Sequence, residues 1–168
     1  MERIAKFSKV SYEQFKKSFL EITEKEEEIK KIYDDIKLPL RATKGSAGYD
    51  FYAPIELTLK PHETVKVPTG IRCEMKENYV LFLVPRSGLG FKYRLQLNNT
   101  VGVIDSDYFY SDNEGHIFAK LTNDTNEDKT IVIKKGDGFI QGIFLQFGIT
   151  VDDNAEGIRN GGFGSTTK

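Results

Sequence analysis

The sequence YVLFLVPRSGLGFKYRLQLNNTVGVIDSDY, residues 79–108, is the most informative part of the chain, because short apolar runs alternate in it with turn-forming residues. The runs at 79–84 and 93–97 are typical of β-strands. The Gly- and Pro-containing stretch at 85–90 and the polar residues 98–100 interrupt them, and we expect a hairpin-type turn at 98–100. The region therefore predicts short strands joined by turns.

The same alternation of short apolar runs with turn-forming residues continues over the rest of the chain from about residue 40. Further strands are predicted at 55–60, 63–67, 116–121, 130–134 and 143–149. Strands do not alternate with helical segments here, so a parallel sheet with crossover helices is not expected. Many short strands with turn chemistry between them predict an all-β domain, a sandwich or a barrel.

A helical insert is predicted at residues 11–37, after a first strand at 4–10. Ser11 and Gln14 fit a capping box, in which each side chain binds a free backbone N–H of the other residue. Apolar side chains then recur at helical spacing from Tyr12 to Ile36, and an unbroken helix of this length would span about 37 Å. We expect this stripe to pack on the protein's own body; self-association and a partner groove are the alternatives. Pro39 ends the helix.

Composition excludes several classes of partner. The 168 residues carry 24 basic and 25 acidic side chains, a net charge of -1, so neither a nucleic acid nor a membrane surface is favoured as a partner. The amino terminus has no apolar signal segment, and we expect one cytoplasmic domain spanning residues 1–168. The lone Cys73 excludes an internal disulfide, and it is interpreted, like His62 and His116, as structural.

The candidate catalytic residue is Asp105, which follows Gly-Val-Ile at a predicted strand end. A carboxylate held there against apolar neighbours can accept a proton from water. The alternative is a turn-forming aspartate. Tyr108 lies three residues further on, where its ring could limit the space beside a bound sugar.

Candidate anion-binding residues follow the strand at 79–84. Arg86 offers a guanidinium fork, Ser87 a hydroxyl and an N–H group, and Gly88 allows close approach of the backbone to an oxyanion. Gln141 in GDGFIQG offers an amide donor. Asp50 in SAGYDF has no assigned chemistry from the residues alone, and a structural turn is one interpretation.

The glycine-rich arm at 159–168 combines an arginine, an aromatic ring and hydroxyl groups. Such a segment can fold over a phosphate chain with its N–H groups as donors. The alternative is an ordinary frayed terminus. Ordering of so flexible a segment is expected only with a ligand bound.

Five stretches together resemble the motifs of the homotrimeric dUTPase family. They are AGYDF (47–51), PRSGLG (85–90), GVIDSDY (102–108), GDGFIQG (136–142) and RNGGFGSTT (159–167), in the family's order. The resemblance covers about residues 38–168. It implies a jelly-roll-like β-barrel, a homotrimer with shared active sites, and hydrolysis of dUTP to dUMP and pyrophosphate with Mg²⁺. That reaction would limit uracil incorporation into DNA and supply dUMP for dTMP synthesis.

The resemblance also implies roles for individual residues. Asp105 would activate the water that attacks the α-phosphorus, and Tyr108 would pack on the deoxyribose and exclude ribonucleotides. Asn99 and Gly102 would recognise uracil through backbone groups. Asp50 would lie near the hydrated Mg²⁺ as an outer-shell ligand.

The remaining implied roles concern the phosphates and the arm. The triphosphate would be contacted by Arg86, Ser87, Gly88 and Gln141. Within the arm, donated by a neighbouring subunit, Phe163 would cover the uracil. The β- and γ-phosphates would be held by Arg159, Gly164, Ser165 and Thr166.

Three departures from the family pattern stand out. The family usually continues Tyr-x-Gly-Glu after the catalytic aspartate motif, whereas residues 109–115 add several positions here. Gly138 replaces the Arg or Lys that usually follows Gly-Asp in the fourth motif. Only Asn160 separates Arg159 from the paired glycines, where the family commonly has one residue more.

Two other functions compete with this interpretation. The related dCTP deaminase shares the trimeric fold, but its essential glutamate would fall near Lys120, and a lysine cannot replace it as a base. A regulatory trimer that binds a protein partner through the N-terminal helix is the second alternative.

Overall fold

The computed structural model describes residues 1–162, and antiparallel strands form most of its scaffold. The strands of this part of the chain are β1 (Ala5–Lys9), β2 (Tyr49–Tyr52), β3 (Leu57–Leu59), β4 (Thr64–Pro68), β5 (Ile71–Met75), β6 (Tyr79–Pro85), β7 (Leu95–Leu97), β8 (Gly102–Asp105), β9 (Phe118–Asn123), β10 (Ile131–Ile133) and β11 (Gly138–Gln146). Its helices are α1 (Tyr12–Phe19), α2 (Glu26–Asp34), α3 (Ser87–Tyr93) and a 3₁₀ helix (Ser106–Tyr110). The predicted all-β class with an N-terminal helical insert is confirmed.

The sheet order brings together strands that are distant in sequence. A four-stranded sheet has the order β2-β11-β6-β8, and a three-stranded sheet has the order β4-β9-β7. Strands β1 and β5 form one further pair, and β3 and β10 form another. All of these pairings are antiparallel. Inward-facing aliphatic side chains such as Leu81, Leu121 and Ile131 are fully buried and form the core.

The turn at residues 98–100 does not form the hairpin that the sequence predicts. Strand β7 before it pairs with β9, whereas β8 after it pairs with β6, so the turn joins two sheets. Thr100 adopts a left-handed φ of 68° and donates its N–H to the Leu97 carbonyl at 2.8 Å. Non-local strand pairing, which local turn chemistry cannot reveal, explains the difference.

The bounds of several predicted strands are also wrong; the predicted strand at 116–121, for example, spans Phe118–Asn123. The expected strand at 93–97 begins only at Leu95, because residues Ser87–Tyr93 form α3 and Arg94 ends that helix with a left-handed φ of 54°. The expected strand at 143–149 begins earlier, at Gly138, and ends at Gln146.

The N-terminal insert is two short helices and not one long helix. Residues between α1 and α2 turn the chain back, so that Phe15, Phe19 and Ile29 share one fully buried cluster. Ile22, expected in the stripe, lies in the connection and is 43% exposed. Folding back lets both apolar faces cover each other, which an unbroken helix could not do.

The helix pair packs on the β-body, as the sequence predicts. Phe15 lies 6.3 Å from the ring of His116, and a Cβ at Gly70 would meet both Phe15 and Ile36. The Tyr33 hydroxyl donates to the Val10 carbonyl at 2.8 Å. Ser11 caps α1 by accepting the Gln14 N–H at 3.2 Å. The reciprocal bond expected from the Gln14 side chain is replaced, because a carboxylate from residue 114 accepts the Ser11 N–H instead.

No helix within residues 1–162 combines the length and the apolar character that crossing a membrane requires.

Candidate active site

A cavity of about 210 Å³ lies beside β8 and the 3₁₀ helix. The sequence-predicted residues that line it are Asn99, Gly102, Asp105, Tyr108 and Arg159. The other lining residues are Leu83, Leu97, Val101, Val103, Ile104, Phe118 and Gly162. The predicted base, the predicted sugar-contacting ring, the turn and the arginine of the arm therefore meet in one cavity.

Gly102 gives this cavity its floor. It lies opposite Leu83 in the β6–β8 register, and a Cβ at position 102 would lie 2.9 Å from the Leu83 Cβ. A side chain there would displace Leu83, which is 1% exposed and belongs to the core. Gly102 lines the cavity and is itself buried.

Asp105 ends β8 and precedes the 3₁₀ helix, as its predicted strand-end position requires. Its side chain is 44% exposed, and its Oδ2 lies 2.5 Å from Nη2 of Arg159. In the free chain the carboxylate is therefore paired with an arginine, and apolar residues such as Val103 and Ile104 also line its cavity. Arg159 also donates through Nε to Asp107 at 2.7 Å, so one guanidinium bridges two carboxylates.

Tyr108 is 6% exposed, and its ring forms a wall of the cavity. The hydroxyl donates to the His116 carbonyl at 2.7 Å and accepts a hydrogen bond from Asn113 Nδ2 at 2.8 Å. Burial raises the pKa of Tyr108, while the bond from Asn113 and the charge of Arg159 partly oppose that rise. The hydroxyl therefore stays protonated at neutral pH.

The arm lies over the same ring. A Cβ at Gly162 would lie 2.9 Å from Tyr108 Cε2, so only a glycine fits against the tyrosine there. The Asn160 carbonyl accepts the Asp112 N–H at 3.1 Å. In this structure the arm up to Gly162 contacts its own chain. The predicted residues Phe163, Gly164, Ser165 and Thr166 lie outside the described residues.

A second group of predicted residues lies where β2, β11 and β6 are neighbours. Asp50 and Gln141 are register partners in the β2–β11 pair, and Arg86 follows the end of β6. Arg86 Nε lies 3.1 Å from Asp50 Oδ1, and Gln141 Nε2 donates to the Pro85 carbonyl at 3.4 Å. The sheet register thus brings together three polar side chains that are far apart in sequence.

The start of α3 adds free backbone donors to this group. Ser87 and Gly88 form the first turn of α3, where N–H groups have no partner within the helix. A Cβ at Gly88 would meet no atom within 4 Å, so the space beside this backbone is open. The seven-residue helix was not predicted, because glycines at 88 and 90 disfavour helices locally.

Gly138 lies beside the guanidinium of Arg86. A Cβ at position 138 would lie 2.9 Å from Arg86 Nη1, the far end of a flexible side chain that is 45% exposed. A larger residue at this position would therefore require Arg86 to shift.

The two groups do not meet within one described chain. Asp50, Arg86, Ser87, Gly88 and Gln141 are absent from the lining of the 210 Å³ cavity. Asp50 pairs with Arg86, and residues 1–162 contain no cluster of three or more His, Cys, Asp or Glu side chains arranged for a metal ion.

His116 is buried behind Tyr108. Its Nε2 accepts the Gly70 N–H at 2.9 Å, so the proton lies on Nδ1, which faces the Ser18 hydroxyl at 3.1 Å. Burial lowers the pKa of His116 to about 4, and the ring is neutral at pH 7. This geometry agrees with the predicted structural role. Burial likewise raises the pKa of Cys73 to about 12, so this thiol is inert.

Comparison with known proteins identifies the family. The family model for dUTPase matches residues 34–167. The deoxyuridine 5'-triphosphate nucleotidohydrolase of Lactococcus lactis is 43% identical over 134 residues, which cover 78% of this chain and 88% of that protein. The corresponding protein of Desulfitobacterium hafniense strain Y51 is 42% identical over 138 residues, covering 77% and 87%. The chain belongs to the dUTPase family.

Solved structures agree with this assignment. The dUTPase of Streptococcus mutans is 41% identical, with a TM-score of 0.60 over 69% of this chain and 89% of that one. The dUTPase of Staphylococcus bacteriophage 80alpha is 20% identical, with a TM-score of 0.65 over 98% of this chain and 99% of that one. The second likeness shows the shared fold. The family match begins at residue 34, so α1 lies outside it.

Proposed function

We propose that this chain hydrolyses dUTP to dUMP and pyrophosphate with Mg²⁺. The reaction limits uracil incorporation into DNA and supplies dUMP for dTMP synthesis. The observation that carries the proposal is the cavity that joins Asp105, Tyr108 and Arg159 to the turn at Asn99 and Gly102. Relatives above 40% identity that are named for this reaction support it.

Asp105 is the general base. It accepts a proton from a water molecule as the water oxygen bonds to the α-phosphorus. The bond between the α-phosphorus and the oxygen that bridges to the β-phosphate breaks, and its electron pair leaves with pyrophosphate. In the free chain the guanidinium of Arg159 forms an ion pair with this carboxylate. A triphosphate carries more negative charge than the carboxylates of Asp105 and Asp107 together, so it draws the guanidinium away and leaves Asp105 free to accept the proton.

The cavity selects the nucleoside. The turn at Asn99 and the backbone of Gly102, which lines the cavity, bind uracil through main-chain groups. Tyr108 lies beneath the deoxyribose, where its buried ring leaves no room for a 2′-hydroxyl. The glycine at 162 is compatible with an arm that closes on the same ring.

The second group binds the triphosphate. Arg86 supplies a guanidinium, Ser87 and Gly88 supply free N–H groups, and Gln141 supplies an amide donor. Asp50 is a hard oxygen donor with 18% of its side chain exposed, which suits contact with a hydrated Mg²⁺ through water. The ion, when bound with the phosphates, neutralises charge that develops on the leaving pyrophosphate.

The arm completes the site. Phe163 covers the uracil, and Arg159 with Gly164, Ser165 and Thr166 holds the β- and γ-phosphates. Although only Asn160 separates Arg159 from the paired glycines, Arg159 still reaches the carboxylate of Asp105, the general base.

A homotrimer with shared active sites would bring the two groups of residues together. Within the described residues of one chain the phosphate-binding group does not line the cavity, which supports a site shared with a neighbouring copy. Apolar side chains for such contacts are exposed near the end of β11 and beyond, where Phe147 is 45%, Ile149 74% and Val151 109% exposed. An exposed apolar run of this kind is typical of an interface.

The test is a nucleotide panel with dUTP, dTTP, UTP and dCTP, measuring pyrophosphate and ammonia release. We expect pyrophosphate from dUTP alone at appreciable rate. Equal rates on all four nucleotides, or ammonia release from dCTP, would refute the proposal.

The two competing functions are less well supported. Lys120, the position of the deaminase's essential glutamate, is exposed on β9 and does not line the cavity. The apolar faces of α1 and α2 are occupied by each other and by the body, with Phe15 and Phe19 fully buried. That stripe is therefore unavailable to a partner protein.

A further inference from the structure

The loop 109–115 departs from the family pattern and holds the hydroxyl of Tyr108. Asn113 Nδ2 donates to this hydroxyl at 2.8 Å, and the hydroxyl donates to the His116 carbonyl at 2.7 Å. Both the donor and an acceptor site of the tyrosine oxygen are therefore used. Two bonds in different directions fix the position of the ring end.

The amide of Asn113 is itself oriented. Its Oδ1 accepts the Gly115 N–H at 3.1 Å, a turn in which a side chain binds the backbone two residues on. Because the oxygen is committed to Gly115, the NH₂ group must face Tyr108. The donor that reaches the hydroxyl is thus set by the loop's own backbone.

The loop backbone is held against the tyrosine segment. Gly115 has a φ of 70°, and a Cβ there would lie 2.7 Å from Phe109 Cα and 2.8 Å from the Tyr108 carbonyl oxygen. Only glycine fits this approach. Arg72 stacks on the Phe109 ring at 3.6 Å and donates to the Phe109 carbonyl at 2.8 Å.

The loop is also anchored at α1. Glu114 has a left-handed φ of 59°, and its carboxylate accepts the Ser11 N–H at 2.7 Å and the Ser11 hydroxyl at 2.6 Å. Burial opposes ionisation, but these two bonds hold the pKa of Glu114 below its usual range. Asn113 is therefore followed by two fixed residues, Glu114 and Gly115.

We propose that Asn113 is a positioning residue that fixes the Tyr108 ring in the cavity and thereby sets the discrimination between deoxyribonucleotides and ribonucleotides. This inference rests on the proposed function. Asn113 contacts the hydroxyl at the end of the ring, does not line the cavity, and acts through that hydroxyl. Without its donor, the ring can tilt and admit a 2′-hydroxyl, whereas the carboxylate of Asp105 is untouched.

The central variant is Asn113→Ser. A serine hydroxyl can still accept the Gly115 N–H in the same kind of turn, but it is too short to reach Tyr108. The loop therefore keeps the hydrogen bond from the Gly115 N–H and loses only the hydrogen bond to the Tyr108 hydroxyl. Asn154→Ser, at an exposed position, is the matched control.

The readout is the ratio of kcat/KM for UTP to kcat/KM for dUTP. We expect Asn113→Ser to raise this ratio about threefold to tenfold, the range that one neutral hydrogen bond is worth. Asn154→Ser should leave it unchanged. An unchanged ratio in Asn113→Ser overturns the proposal.

A double-mutant cycle with Tyr108→Phe separates positioning from general loosening of the loop. If Asn113 acts through the hydroxyl, adding Asn113→Ser to Tyr108→Phe changes the ratio no further. A merely structural role predicts instead that the two effects multiply, and that result refutes the inference.

A ligand-free measurement keeps this test separate from the proposed function. The pKa of Tyr108 is followed by NMR in protein with ¹³Cζ-labelled tyrosine, the resonance being assigned with Tyr108→Phe. Loss of the Asn113 donor should raise this pKa further. An unchanged pKa would show that Asn113 does not donate to the Tyr108 hydroxyl, and it would overturn the proposal. Wild-type protein that releases no pyrophosphate from dUTP refutes the proposed function whatever the NMR result.

Discussion

Acidification should destabilise this protein through His116 before its carboxylates titrate. The ring is fully buried and neutral, and it bonds Gly70 and Ser18 through its two nitrogens. Burial is the main reason that the pKa of His116 falls from 6.5 to about 4 on folding. The charge of Glu114 opposes that fall and the charge of Lys66 adds to it.

The direction of the change in stability follows from the number of protons that His116 binds in the unfolded and folded states. Between pH 6.5 and pH 4 the unfolded chain binds a proton at His116 that the folded chain does not bind. The free energy of unfolding therefore falls as the pH is lowered through this window. With these two pKa values, the loss between pH 7 and pH 5 is about 2 kcal/mol.

The assay is urea unfolding at fixed protein concentration at several pH values from 7 to 5. The test variant is His116→Gln, whose Oε1 can still accept the Gly70 N–H but cannot titrate. Its stability at pH 7 should be lower, because the fit is imperfect, yet its pH dependence should be nearly flat. His62→Asn is the control, since His62 is exposed with a left-handed φ of 68° that asparagine tolerates. An equal pH dependence in His116→Gln and wild type would contradict the reasoning.

Three further results are expected. Asp105→Asn should bind dUTP nearly normally by calorimetry but lose at least about 10²-fold in turnover; near-normal pyrophosphate release would exclude Asp105 as the base. Mixing Asp105→Asn chains with chains truncated after Asn160 should recover activity that each lacks alone. No recovery after verified subunit exchange would mean that the arm serves its own chain, as the Arg159–Asp105 contact within the free chain allows. Phe19→Ala should cost about 3–5 kcal/mol in urea unfolding, because the ring is fully buried, with turnover per folded molecule unchanged; lost turnover with an unchanged unfolding midpoint would place the helices at the site.

Local sequence signals predicted much of the cavity. Asp105 and Tyr108 lie close together because they flank the end of one strand, and the turn containing Asn99 is adjacent in the chain. Leu83 and Phe118 line the same cavity but were missed as site residues. They are apolar residues of β6 and β9, and Leu83 reaches the cavity because the β6–β8 register pairs it with Gly102.

Long-range contacts were the part that the sequence could not supply. The pairing of Arg159 with Asp105 links residues 54 positions apart. Glu114 takes the capping role that was predicted for Gln14, because a turn 103 residues away brings its carboxylate to Ser11. The break between α1 and α2 likewise follows from tertiary packing, since the apolar spacing continues almost unbroken through it.

The two features outside the family pattern form one structural unit. The loop 109–115 interrupts the family's third motif, and α1 precedes the region that the family model matches. Glu114 joins the loop to Ser11, and Ser18 on α1 meets the ring of His116, whose carbonyl accepts the Tyr108 hydroxyl. Hydrogen bonds thus join helix α1 to the loop 109–115, and neither feature is an independent addition to the barrel. Helix α1 supports the loop that holds Tyr108.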